Sequence, residues 1–172
     1  MSGGPAFAQL VRQLFDAHYA SLLRYLVRLS GDPETAADIA QEAFVRLHER
    51  GSVPDDPRAW LATVANNLYR DDWRRTQRRA QLLAAGTHEI GSSPPLAPDA
   101  AAVRDEERAL VRAALERLSP RDREMLLLRH EGFSYREIAQ VVGIAETSVG
   151  TLLIRATAAF RTAFMEGSGA SE

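Results

Sequence analysis

The stretch SYREIAQVVGIAETSVGTLLIRATAAF, residues 134–160, reads as two helices around a glycine turn. Ser134, followed three residues later by Glu137, has the spacing of a capping box, so a short helix begins there. Gly143 ends it. A longer helix follows from about Ala145 to Met165, with a core stripe of Val149, Leu152, Leu153, Ala156 and Phe160. This is a helix-turn-helix layout, which plain helical hairpins share. The outward face of the second helix holds Thr147, Ser148, Gly150, Thr151 and Ile154, with one arginine, Arg155. Between residues 145 and 161 two arginines, Arg155 and Arg161, stand against Glu146. A helix laid out to read DNA is thus poor in the cations that phosphate contacts use. Glu146 suits the helix dipole but repels a phosphate seeking the same N–H groups. Gly150 costs the helix ~1 kcal/mol relative to alanine. It permits close backbone approach, or equally has no role.

Upstream, helical periodicity continues. SPRDREMLLLRH opens with Ser119 as N-cap and Pro120 at the first helical position. RDEERALVRAALERL, from about Arg104, turns Ala109, Leu110, Ala113, Ala114 and Leu118 inward. Before it, residues 83–103 hold Gly86, Gly91, Pro94, Pro95 and Pro98 with no apolar period, which predicts a flexible linker. From Phe7 to Leu29, apolar residues recur every three or four positions (Phe7, Leu10, Val11, Leu14, Phe15, Leu22, Leu26, Leu29), an amphipathic helix. Gly31 stops it, and Asp32 and Pro33 start a second, to about Arg50, burying Ala36, Ile39, Ala40, Ala43, Phe44 and Leu47. After the loop GSVPDDP, Pro57 opens a third helix through Trp60, Leu61, Val64, Ala65 and Leu68. No segment alternates with period two for the length of a strand. The predicted fold is all-α, two small helical domains joined by a flexible linker. Residues 1–82 form the first, 83–103 the linker, 104–166 the helix-turn-helix domain and 167–172 a disordered tail. Three long helices precede the linker and four shorter ones follow it.

Composition narrows the chemistry. The chain has 172 residues, 45% hydrophobic and 26% charged, as a folded protein does. With no cysteine, disulfides, thiolate zinc sites and a cysteine nucleophile are excluded. All 21 basic residues are arginine, which removes Schiff-base chemistry and the P-loop lysine. His18, His48, His88 and His130 are scattered, and the adjacent pairs Asp55–Asp56 and Asp71–Asp72 make no acid/base couple. No metal site, cofactor, small-molecule substrate or catalytic residue is expected; the protein is expected not to be an enzyme. No signal peptide is read at the N-terminus and no apolar run approaches the roughly 20 residues of a membrane span, so a cytoplasmic protein without membrane insertion is expected.

Net charge is −2, yet five arginines fall within residues 70–79, one basic cluster in a mildly acidic chain. Asn67, Arg70, Asp71, Arg74 and Arg78 share one helical face. Arginine bonds phosphates and base edges, and asparagine pairs bidentately with adenine. Trp60, Tyr69 and Trp73 add surface on which bases could stack. A solvated face above a core tryptophan fits the same residues equally well. The second helix exposes Asp38, Gln41, Glu42 and Arg46, an acidic patch that fits protein docking or simply the wet face of a helix.

Three blocks in order resemble the extracytoplasmic-function (ECF) sigma factors of bacterial RNA polymerase. LFDAHYASLLRYLVRLSGDPETAADIAQEAFVRLHER is similar to the family's first block. DDPRAWLATVANNLYRDDWRRTQRR resembles the block that melts and reads the −10 element, and ALERLSPRDREMLLLRHEGFSYREIAQVVGIAETSVGTLLIRA the domain that binds the −35 element. The resemblance implies a detachable specificity subunit with core RNA polymerase, through its largest subunits, and promoter DNA as partners, and an anti-sigma factor as a further candidate. It places Asp38, Gln41 and Glu42 on the polymerase docking surface. Asn67 and Asp71 would face the upstream edge of the −10 element. Arg70, Arg74, Arg75, Arg78 and Arg79 complete that DNA surface, with the last four on backbone phosphates. Ser52, Val53, Asp55 and Asp56 fall in the loop that captures a flipped base, where a pocket offsets the few kcal/mol of extrusion. Arg136, Thr147, Ser148, Thr151 and Arg155 fall in the −35 reader, and the linker would thread towards the RNA exit path.

One departure stands out. The family's GTVKSRL-like run is TSVGTLL here, with Gly150 and Leu152 at usually basic positions. Three readings follow: weak binding through Thr147, Ser148, Thr151 and Arg155 with help from DNA shape, an unusual target sequence, or a domain that mainly binds protein. Outside the sigma class, a stand-alone helix-turn-helix regulator or a sigma-like interaction protein shares the C-terminal pattern. Regulators of that kind usually carry an α/β phosphoacceptor domain, and residues 1–80 show no strand pattern.

Overall fold

The computed structural model describes residues 4–84 and 100–169, and among these all regular structure is helical. Seven helices follow one another: α1 (Pro5–Ser30), α2 (Pro33–Arg50), α3 (Pro57–Ala84), α4 (Ala100–Glu116), α5 (Pro120–His130), α6 (Tyr135–Val142) and α7 (Glu146–Gly169). The boundaries have local causes. Gly31 takes the left-handed conformation (φ 74°) that ends α1, and the Asp32 carboxylate accepts from the Glu34 and Thr35 amides to start α2. Ser119 accepts from the Asp122 amide at 3.2 Å. The capping box is present in full: Ser134 N–H donates to Glu137 at 2.7 Å, and Glu137 N–H to Ser134 Oγ at 3.3 Å.

Helices α1, α2 and α3 pack against one another, as do α5, α6 and α7, with α4 laid along α7. All six apolar residues expected inward on α2 are buried. They meet Leu22, Tyr25, Leu26 and Leu29 of α1 and Leu61, Ala62 and Ala65 of α3 in a core that continues into the C-terminal helices. Leu26 and Leu47 have no exposed surface, so truncating either to alanine costs about 2–5 kcal/mol. The first half of α1 differs. Leu10 and Phe15 lie 40% and 38% exposed, although Phe15 stacks on Tyr19 and meets Phe44 edge-on.

Two expectations for the C-terminal half are corrected. The last helix is one of the long ones, 24 residues, and runs to Gly169, past the start of the expected tail. Its last turns are held from outside: Arg117 pairs with Glu166, and Gly167 lies against Leu110. The helices flanking the linker also extend into its expected range, to Ala84 and from Ala100; the rest of that segment lies outside the described residues. Within them, no single helix is long and apolar enough to cross a membrane.

Candidate nucleic-acid interface

Asp56 sets the start of α3, its carboxylate accepting from the Ala59 amide at 3.0 Å and its carbonyl from Trp60 N–H. From that start the helix carries Asn67, Asp71, Arg74, Arg75, Arg78 and Arg79 into solvent. Asp71 sits 3.4 Å from Arg74, an exposed pair of small energetic weight. The preceding asparagine goes the other way. Asn66 is fully buried and accepts from the Tyr25 hydroxyl at 2.5 Å. Burial pushes the Tyr25 hydroxyl well above its ordinary pKa, with the nearby Glu124 carboxylate adding to the effect. The aromatic residues divide too. Trp60 lies half-buried beneath Arg50, and Tyr69 donates to the Leu29 carbonyl. Trp73, 48% exposed, is the aromatic of the three with an open face.

Arg70 departs from the sequence expectation. It shares the helical face of Asn67 and Arg74, but α5 reaches this edge of α3. Arg70 Nε donates to Glu124 Oε1 at 3.0 Å, and its terminal nitrogen pairs with Oε2. The hydrogen bonds to Glu124 raise the guanidinium pKa above its already high ordinary value. In this arrangement Arg70 is an interdomain ligand, not a free phosphate contact.

The contact has neighbours that no local pattern announces. Arg123 donates to the Tyr69 hydroxyl at 3.2 Å. Arg24 and Arg28 of α1 both reach Glu131, whose side chain is nearly buried. Arg58 donates to the carbonyls of Glu131 and Gly132, lies 3.6 Å from Glu137, and stacks 3.9 Å over the Phe133 ring. It thus satisfies carbonyls just beyond the C-terminus of α5, where intrahelical donors run out. His18 lies in the same region. Burial, and then Arg58, lower its pKa from 6.5, while Asp56 and Glu137 oppose the shift.

On α2, Asp38 and Gln41 are exposed and Glu42 is half-buried, 3.0 Å from Arg46 one turn on. In the α2–α3 loop, Ser52 and Asp55 are exposed and Val53 and Asp56 half-buried, with the Asp56 carboxylate engaged in the cap described above.

On the helix-turn-helix, Arg136, Thr147, Thr151 and Arg155 are exposed and Ser148 is half-buried. Gly150 faces Tyr135: a Cβ built there would meet the ring at 3.5 Å, an ordinary contact. Ile154 stands 74% exposed on the same face. Arg155 and Leu152 turn towards α3 instead, lining a cleft of about 720 Å³ with Arg70, Trp73, Arg74 and the start of α5. One residue of the expected −35 set, Arg155, and two of the expected −10 set, Arg70 and Arg74, thus border one cleft.

The family model for Sigma-70 region 2 matches residues 14–79, and that for Sigma-70 region 4 residues 108–159. The ECF RNA polymerase sigma factor SigL of Mycobacterium tuberculosis is 36% identical over 168 residues, covering 94% of this chain and 92% of that protein. The RNA polymerase sigma-E factor of Streptomyces coelicolor is 33% identical over 159 residues, covering 90% and 84%. In fold, the chain is similar to the sigma factor RpoE in its complex with the anti-sigma factor NepR from Bartonella quintana. That match has a TM-score of 0.65 at 22% identity and covers 93% of this chain and 97% of that one. It is similar also to CnrH in complex with the cytosolic domain of CnrY, with a TM-score of 0.64, 24% identity and coverage of 90% and 87%. With both regions matched in order and full-length relatives above 30% identity, the chain belongs to the ECF RNA polymerase sigma factors, which recognise promoters.

Proposed function

We propose that the protein binds core RNA polymerase in the cytoplasm and directs it to a promoter, opening the −10 element, with no chemistry of its own. The proposed units are residues 1–82, the linker 83–103, the −35 unit 104–166 and a short tail. The observation that carries the reading is the α3 surface, where Asn67, Asp71, Arg74, Arg75, Arg78 and Arg79 stand exposed within the region 2 match. Asn67 and Asp71 contact bases at the upstream edge of the −10 element, and the four arginines hold phosphates. Ser52, Val53 and Asp55 border the flipped base, while Asp56 shapes the loop by capping α3. Asp38, Gln41 and Glu42 dock the polymerase. Arg136, Thr147, Ser148, Thr151 and Arg155 contact the −35 element. Arg70 reaches DNA only if its pairing with Glu124 is released. Two structural relatives are held by protein partners, one of them an anti-sigma factor. This supports an anti-sigma factor as a regulator here. The test is reconstitution. The purified protein and sigma-free core polymerase are expected to form a complex and to initiate promoter-specific transcripts from the source genome. No complex, or no specific start site, refutes the reading.

A further inference from the structure

The low charge of α7 has a counterpart in what it exposes instead. Ile154 is 74% exposed, the most exposed large apolar side chain among the described residues of the C-terminal helices. It follows Thr147, Gly150 and Thr151 at helical spacing, on the face that a helix-turn-helix turns to base edges. Counted from Glu146, Ile154 lies about 12 Å along the helix, a distance comparable to the major-groove width of about 12 Å. Neither Gly150 nor the threonines can make the bidentate guanine contacts of arginine. The Ile154 side chain and the threonine methyl groups are apolar. Only one apolar group stands on base edges in that groove, the 5-methyl of thymine.

We propose that Ile154, supported by the Thr151 methyl group, makes this sigma factor select thymine in its −35 element by contact with the 5-methyl group. The inference rests on the proposed −35 role of α7 and names what that helix reads. It accounts for two features together. The positions that would carry base-edge cations hold Gly150 and Leu152, and Gly150, packed against the Tyr135 ring, puts no side chain of its own between Thr151 and Ile154. Ile154 lies on the side of α7 turned from α3, where it borders a groove with Leu126, Tyr135 and Thr157, so docking of the two helical units leaves it open.

The experiment uses the full chain reconstituted with core polymerase. Promoters are selected from a randomised duplex library, and a selected promoter is resynthesised with uracil for thymine, one position at a time, only within the upstream element. Uracil pairs as thymine does but lacks the methyl group. At one or two positions the exchange should weaken holoenzyme binding about fourfold, the loss expected for one buried methyl group. Ile154→Ser should remove that sensitivity, and Ile154→Val, which keeps a branched apolar chain, should retain it. Because Ile154 is exposed, neither change disturbs the core. A −10 motif selected without a methyl-sensitive upstream thymine overturns this inference and leaves the sigma reading standing. The same holds if Ile154→Ser remains as methyl-sensitive as the native chain. A selection that enriches no motif overturns both.

Discussion

Arg70 on α3 grips Glu124 on α5 through two hydrogen bonds, and the Glu124 side chain is only 2% exposed. A carboxylate so buried needs its partner. Breaking such a pair commonly costs 3–5 kcal/mol, and roughly half that is expected here because Arg70 is 35% exposed and partly screened. Glu124→Gln should therefore lower stability by about 1.5–2.5 kcal/mol. A double-mutant cycle with Arg70→Met, read by urea unfolding, should give a coupling near 1 kcal/mol. A coupling indistinguishable from zero would show that the pair does not join the two helical units in solution.

Asn67 separates promoter opening from polymerase docking. It is exposed on α3, whereas Asp38, Gln41 and Glu42 lie on α2. Loss of one base-edge contact of 1–3 kcal/mol predicts about tenfold weaker opening for Asn67→Ala. Permanganate reactivity of the −10 thymines should fall accordingly, while pull-down of core polymerase stays at the native level. Parallel loss of both would make Asn67 a folding or docking residue.

The contrast between Asn66 and Asn67 shows what local sequence can carry. Period and capping signals place α2 well, because its six inward residues and the Asp32–Pro33 start act within a few turns. The same logic puts Asn67, Asp71 and Arg74 on one face. Arg70 shares their spacing, yet its partner is 54 residues away, and nothing in RDREM marks Glu124 as buried. Arg58 reads as an ordinary first-turn arginine until Phe133 and the Glu131 carbonyl lie against it. Each of these contacts depends on how two helical units dock, and that geometry leaves no periodic trace in either. The docking role proposed for the α2 acidic patch comes from the family resemblance, since its chemistry fits docking and solvation alike.

Gly150 offers two opposite handles on α7. A methyl group there meets Tyr135 at van der Waals distance, so Gly150→Ala should stabilise the protein by up to ~1 kcal/mol through helix propensity alone. Thermal melting should shift upward by about 2–4 °C. Gly150→Arg should instead steepen the salt dependence of duplex binding by about one phosphate contact, with Gly150→Ala as the uncharged control. Equal slopes for the two variants would place residue 150 away from the DNA.

His18 should make stability fall on mild acidification. Its folded pKa lies below 6.5, chiefly through burial and next through Arg58, with Asp56 and Glu137 opposing. Between the folded value and 6.5 the unfolded chain binds more protons than the folded one, so stability rises with pH across that window and is full above it. On lowering the pH the loss begins near 6.5 and levels off below the folded value. Asp32 works at the other end of the scale. Its carboxylate is held below 3.8 by hydrogen bonds from Thr35, so its contribution is lost only in stronger acid. Urea midpoints taken between about pH 5 and pH 8 therefore isolate the histidine. His18→Gln should flatten the profile in that range, and Arg58→Gln, which removes the second cause of the shift, should make it shallower. A native profile already flat there would show that His18 contributes no such pH dependence, and a sloped one unchanged by His18→Gln would assign the titration to another group.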